Sequence, residues 1–177
     1  MLAALAFLGA TLIVAATRQW VGPSLASSSS VASVRRGLTV FDDKSPTVTK
    51  LDPDLRRALR QAARDAAQNR IAIVINSGWR SAEYQERLLR RAVSRYGSEE
   101  RAARWVATAD TSSHVSGHAV DIGPSRAIAW LSKHGAAYRL CQIYRNEPWH
   151  YELRPEAADD GCPSMYADPR HDPRMHQ

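Results

Sequence analysis

Apolar positions recur along this chain with two periods, and each period marks a different kind of element. Over residues 52–69, Leu55, Leu59, Ala62 and Ala66 fall three or four apart among Arg, Asp and Gln, which predicts an amphipathic helix. Asp52 supplies a side-chain cap for it, and Pro53 suits the first helical position, where a missing N–H costs nothing. Residues 71–76, IAIVIN, are mostly β-branched and apolar, which predicts a buried strand ending at Ser77-Gly78. A second helix is expected over 81–96, with Ser81 as cap and Leu88, Leu89, Ala92 and Val93 facing inward. Shorter patterns predict a strand at 37–41, a short helix at 99–106, a strand at 119–122, a helix at 127–134 ended by Gly135, and a last strand at 149–153. Helices and short strands interleave without a repeating βαβ period. The expected fold class is therefore α+β, a small antiparallel β-sheet flanked by helices.

The two ends read differently from the middle. Residues 1–16, MLAALAFLGATLIVAA, carry no charge and are shorter than the ~20 residues of a membrane-spanning helix. They are expected to be a signal peptide or a short membrane anchor, with small residues for cleavage at Val14-Ala15-Ala16 or Ser24-Leu25-Ala26. No Lys or Arg precedes the apolar run, which keeps the anchor reading open. Residues 17–35, with SSSS at Ser27 to Ser30, are expected to be a flexible linker. The folded domain is expected over 36–162, and 163–177, with its prolines and charges, as a loose tail that leaves His171 and His176 in solvent. Together these predict an exported protein, extracellular, cell-wall or periplasmic, that meets a membrane only through an uncleaved N-terminus.

Composition narrows the partners. Hydrophobic residues are 44% and charged residues 24%, a balance that folds. The net charge of +6 would suit nucleic acid, membrane or an acidic polymer. The arginines Arg56, Arg57, Arg60, Arg87, Arg90 and Arg91 are, however, spread along helix faces, and no nucleic-acid-binding module is present. They read first as solvated faces, with attraction to anionic cell-wall polymers the weaker alternative. Cys141 and Cys162 form no C-x-x-C pair, which argues against a thiol redox or structural zinc site.

Three short pieces carry chemistry: Ser77 to Ser81 (SGWRS), Ser112 to Asp121 (SSHVSGHAVD) and Glu147 to His150 (EPWH). A catalytic zinc ion takes about three protein ligands and keeps one position open for water. His114, Asp121 and His150 would supply two imidazoles and a carboxylate to one Zn2+ ion, with Gly117 letting the chain bend between the first two. His118 stands as an alternative to His114. Asp121 is expected at a strand end, before the turn Ile122-Gly123-Pro124. Glu147 and His150 would face opposite ways on a straight strand, so Pro148 predicts a turn that brings both to one place. Glu147 would then be the general base, and later the acid for a leaving amine. Arg80, just past a buried strand, can hold an oxyanion or a carboxylate by paired hydrogen bonds. Ser112 and Gln85 are candidate polar contacts to substrate. His134 is accounted for by a helix C-terminus.

The three pieces, in this order, resemble the VanY-like family of zinc D-alanyl-D-alanine carboxypeptidases, over roughly residues 51–153. The family pattern is S-G-[WY]-R-S, then S-x-H-x-x-G-x-A-x-D, then E-x-W-H. The resemblance implies that His114, Asp121 and His150 bind zinc, that Glu147 is the base, and that Arg80 steadies the transition state. It implies a fold shared with the signalling domain of Hedgehog proteins, and a peptidoglycan stem peptide, cut next to D-Ala, as substrate. A D,D-dipeptidase or an endopeptidase would use the same ligands. A zinc-holding cell-wall binding module without turnover would need neither Glu147 nor Arg80. The expected export also implies that Cys141 and Cys162 pair and clamp the segment holding Glu147 and His150. A bond across 21 residues would contribute about 3 kcal/mol.

Overall fold

The computed structural model describes residues 37–176. The segments expected as signal peptide or anchor (1–16) and linker (17–35) lie outside the described residues. After a short turn of helix, α1 (Pro46–Thr49), the main amphipathic helix forms as its periodicity predicts, as α2 (Pro53–Gln68). The Asp52 carboxylate accepts the backbone N–H groups of Asp54 and Leu55, satisfying two of the four donors a helix start leaves over. Leu55, Leu59, Ala62 and Ala66 are all completely buried.

That face packs against a four-stranded antiparallel sheet in the order β1-β2-β4-β3, made of β1 (Val74–Ser77), β2 (Ala119–Gly123), β3 (Leu140–Gln142) and β4 (His150–Leu153). Successive strand residues face opposite sides. Val120 and Ile122 of β2 and Tyr151 of β4 join the apolar core with α2 and with Leu131 of α5 (Ser125–His134). The alternate residues Asp121, His150 and Glu152 therefore share the other side of the sheet.

Several expectations change. The strand at 71–76 begins only at Val74, because its partner strand ends at Gly123, opposite Val74. Residues 37–41 form a turn, tied by Thr39, whose N–H and hydroxyl both donate to the Asp42 carboxylate. Helix α3 (Ala82–Tyr96), capped by the Ser81 hydroxyl, buries Gln85 and Ala92, whereas Leu88, Leu89 and Val93 are only half-buried because α3 packs at the margin against α4 (Glu99–Ala102). Helix α4 stops short of 106, where Arg104 turns to the buried Asp168, 2.9 Å away. Gly135 stays right-handed and leads from α5 into a 3-10 turn, Gly135–Tyr138, and Arg139 takes the left-handed conformation. The strand β3, three residues long, has no alternation to announce it.

The stretch expected as a loose tail is packed down. Helix α6 (Ala157–Asp160) leads to Cys162, which is disulfide-bonded to Cys141 of β3. Tyr166 exchanges backbone hydrogen bonds with Ile143 and Arg145, and Asp168 and Asp172 are buried. His171 and His176 are exposed, as expected. Prolines and charges look like a tail in sequence, but here the carboxylates are bonded within the domain. Among the described residues no helix is long and apolar enough to cross a membrane.

Candidate metal centre and its cleft

The first and second sequence pieces are stitched together. Gly78 follows β1 so close to Thr47 that a Cβ there would strike the Thr47 carbonyl oxygen. Its own carbonyl accepts from His114 Nδ1 (2.9 Å), and the N–H of Arg80 donates to the His114 carbonyl (3.2 Å). Gly117 has φ +81°, and a Cβ there would come within 2.6 Å of the Lys50 carbonyl, so a side chain is excluded twice over. Its carbonyl accepts the N–H of Asp52 at 2.9 Å.

Asp121 stands in the middle of β2 and not at a strand end, paired directly with His150 of β4. The turn expected at Pro148 is present, with the N–H of His150 donating to the Glu147 carbonyl at 3.0 Å. As a result His114 Nε2 lies 3.3 Å, and His150 Nδ1 3.4 Å, from Asp121 Oδ1. One donor atom from each residue falls within 4.8 Å of the other two. Each imidazole spends its remaining nitrogen elsewhere: His114 Nδ1 on Gly78, and His150 Nε2 on Glu152 Oε1 at 3.1 Å. This fixes which nitrogen faces the centre. Two imidazoles and a carboxylate, oriented in this way, fit the donor set of a hydrolytic zinc ion. His118 is exposed, bonds Ser116 Oγ, and is turned toward Asp52, so it is not part of this group.

Burial and charge set the protonation of the group. Burial pushes His114 down, against the pull of Asp121, and favours the neutral ring a metal needs. Burial also works against a charged His150, but bonds to Asp121 and Glu152 outweigh it and raise the imidazole to about 9. Burial alone would raise Asp121; the two imidazoles hold it well below the usual carboxylate range. Glu147, 8% exposed and with Oε2 3.9 Å from His150 Nδ1, is pushed up to about 7, first by burial, with His150 opposing and Asp121 adding to the rise.

Arg80 enters the same cleft, a cavity of about 260 Å³. One terminal nitrogen donates to Gln85 Oε1 (3.0 Å) and the other to Asp121 Oδ2 (3.2 Å). Gln85 is 2% exposed, and its amide nitrogen donates to the Ala107 carbonyl (2.8 Å). Both ends of the Gln85 amide are thus engaged inside the protein, so it holds Arg80 and has little left for a ligand. Ser112 lines the wall, and Trp105 and Trp149 stand partly exposed at the rim. Sequence reasoning passed over Glu152, although its position two beyond His150 in a strand places it on the same face. It also passed over Tyr144, whose ring centre lies 5.0 Å from that of His150.

Fold and site together define an α+β protein with a His–Asp–His donor group and a flanking buried carboxylate on one side of a small antiparallel sheet. The chain belongs to the VanY family: residues 48–156 match the family model for D-alanyl-D-alanine carboxypeptidases. No curated protein sequence matches it significantly. Among solved structures it is similar to VanYB in complex with D-alanine-D-alanine, at 25% identity and a TM-score of 0.57 over 61% of this chain and 74% of that one. It is similar to the vancomycin-resistance D,D-pentapeptidase VanY of a VanB-type cassette in complex with Zn(II), at 24% identity and a TM-score of 0.54 over 58% and 72%. It also shares its fold with an L,D-carboxypeptidase, DacB, from Streptococcus pneumoniae, at 24% identity and a TM-score of 0.52 over 63% and 71%.

Proposed function

We propose that this chain is an exported, zinc-dependent D-alanyl-D-alanine carboxypeptidase that trims peptidoglycan stem peptides. The observation that carries the reading is the convergence of His114 Nε2, Asp121 Oδ1 and His150 Nδ1 beside the buried Glu147 carboxylate. When bound at that group, a zinc ion supplies Lewis acidity and a water acidic enough to lose a proton near neutral pH.

The chain's own residues do the rest. Glu147 accepts the proton of the attacking water and returns it to the nitrogen of the departing D-alanine. A carboxyl raised toward 7 by burial suits both directions of that transfer. Arg80, held between Gln85 and Asp121, presents fixed positive charge to the oxygen of the scissile carbonyl as negative charge builds there. Trp105 and Trp149 offer apolar surface at the rim, and Ser112 a polar wall, to the remainder of the peptide. The disulfide is in keeping with an oxidising compartment outside the cytosol. A basic surface leaves room for contact with anionic wall polymers.

The test is an incubation of the full chain with a peptide ending in D-Ala-D-Ala, with and without a chelator. The reading requires chelator-sensitive release of free D-alanine. A released dipeptide or a larger fragment would show a D,D-dipeptidase or an endopeptidase instead. Zinc binding without turnover would show the binding module.

A further inference from the structure

Glu152 lies one step behind the donor group and is 1% exposed. Its carboxylate accepts from His150 Nε2 (3.1 Å), Ser113 Oγ (2.9 Å), an Arg154 terminal nitrogen (2.8 Å) and Arg174 NH1 (2.7 Å). Ser113 and Arg154 come from the segments that already build the site. Arg174 comes from the packed C-terminal segment, 22 residues beyond Glu152 and outside the stretch 48–156 shared with the family model.

Arg174 also reaches His150 by a second route. Its Nε donates to both Asp172 oxygens (3.0 and 3.1 Å), and Asp172, with no exposed surface, accepts the Tyr144 hydroxyl at 2.9 Å. The Tyr144 ring packs on the His150 ring. One guanidinium fork therefore braces both the carboxylate that holds His150 Nε2 and the residue that holds the aromatic wall beside it. The segment is fastened upstream by the disulfide at Cys162, by Tyr166 against Ile143 and Arg145, and by Asp168 to Arg104. A carboxylate this deeply buried keeps its charge and direction only when its oxygens are met by donors. Outer partners of a metal-binding histidine commonly set its affinity for the ion.

We propose that Arg174 is a positioning residue for the metal centre: through Glu152 and through Asp172–Tyr144 it fixes the His150 ring so that Nδ1 points at the shared donor position. The C-terminal segment is thereby a working part of the site. This rests on the reading of His114, Asp121 and His150 as zinc ligands.

The test uses the full chain with Arg174→Met and Arg174→Lys. Zinc affinity is measured by competition with a chromophoric chelator, and the melting temperature of the zinc-free protein is followed alongside. Arg174→Met is expected to weaken zinc binding by roughly tenfold or more while the zinc-free protein still folds. Arg174→Lys keeps the charge without the fork and is expected to fall between Met and wild type. Should Arg174→Met fail to fold, the Lys variant decides alone, and severalfold weaker zinc binding is required of it. Folded variants that bind zinc as tightly as wild type, whatever their melting temperature, overturn the proposal while leaving the ligand assignment intact. Wild-type protein that takes up no zinc overturns the ligand assignment, and this proposal with it.

Discussion

Asp121 and His150 face each other directly across the ladder between β2 and β4, and Asp121 Oδ1 lies 3.4 Å from His150 Nδ1. With no metal bound, bonds to Asp121 on one side and Glu152 on the other raise His150 to about 9, so at neutral pH a proton is expected in that gap. Metal uptake must expel it. At pH 7 zinc binding is therefore expected to release about one proton from His150, plus a share from Glu147. Affinity should rise with pH up to about 9 and level off above it. Calorimetry in buffers of different ionisation enthalpy reads the proton count directly, and a count near zero would contradict this pairing.

If Glu147 is the base, as proposed, removing its carboxylate should separate binding from turnover. Glu147→Gln keeps shape but takes no proton, so kcat is expected to fall by roughly 10²- to 10⁴-fold with zinc still bound. In the proposed mechanism turnover needs an ionised Glu147, so wild-type activity is expected to decline as pH falls. A nearby divalent cation favours the charged carboxylate, so the acid limb should lie at or below the metal-free value of about 7. Metal content by mass spectrometry and a pH–rate profile check both parts. A Glu147→Gln enzyme with full activity would remove this residue from the mechanism.

Gln85 is expected to act through Arg80. Gln85→Leu leaves the Ala107 carbonyl without its donor and frees one end of the guanidinium, at a cost of about 1–3 kcal/mol in stability. Turnover should drop at least severalfold with zinc affinity unchanged, because none of the three donor residues is touched. Zinc titration beside steady-state kinetics distinguishes this from a general loosening of the site.

The disulfide joins β3 to the start of the C-terminal segment across 21 residues, and breaking it is expected to cost about 3 kcal/mol. Equilibrium denaturation of Cys162→Ser against wild type, with and without reductant, measures this. The reductant should destabilise wild type only, and equal curves would show that the bond carries no stability.

The convergence of His114, Asp121 and His150 was legible because each lies in a short, chemically loaded stretch, and because Gly117 and Pro148 announce bends where bends occur. Helix α2 was legible because its cap and its apolar spacing agree. Asp121 was expected at the end of its strand and lies two residues before it, since a following Gly-Pro marks a turn but not how close to it the ladder runs. Strand β3 is too short to show alternation and exists by pairing with β4. The clamp on Glu152 was invisible for a different reason. Arg174 becomes its neighbour only after the chain has passed through α6 and the disulfide, and its surroundings in sequence, Asp172-Pro173-Arg174, look like solvent-loving punctuation. Local pattern reports what a segment can be, and long-range return of the chain decides what it touches.

The bond from Asp52 to the Gly117 carbonyl ties the loop carrying His114 to the first turn of the helix that underlies the sheet. Through it, the placement of His114 is tied to the seating of α2. Under the proposed reading, a metal held by His114, Asp121 and His150 would stabilise the folded domain by mass action, and its removal would lower the domain's resistance to unfolding.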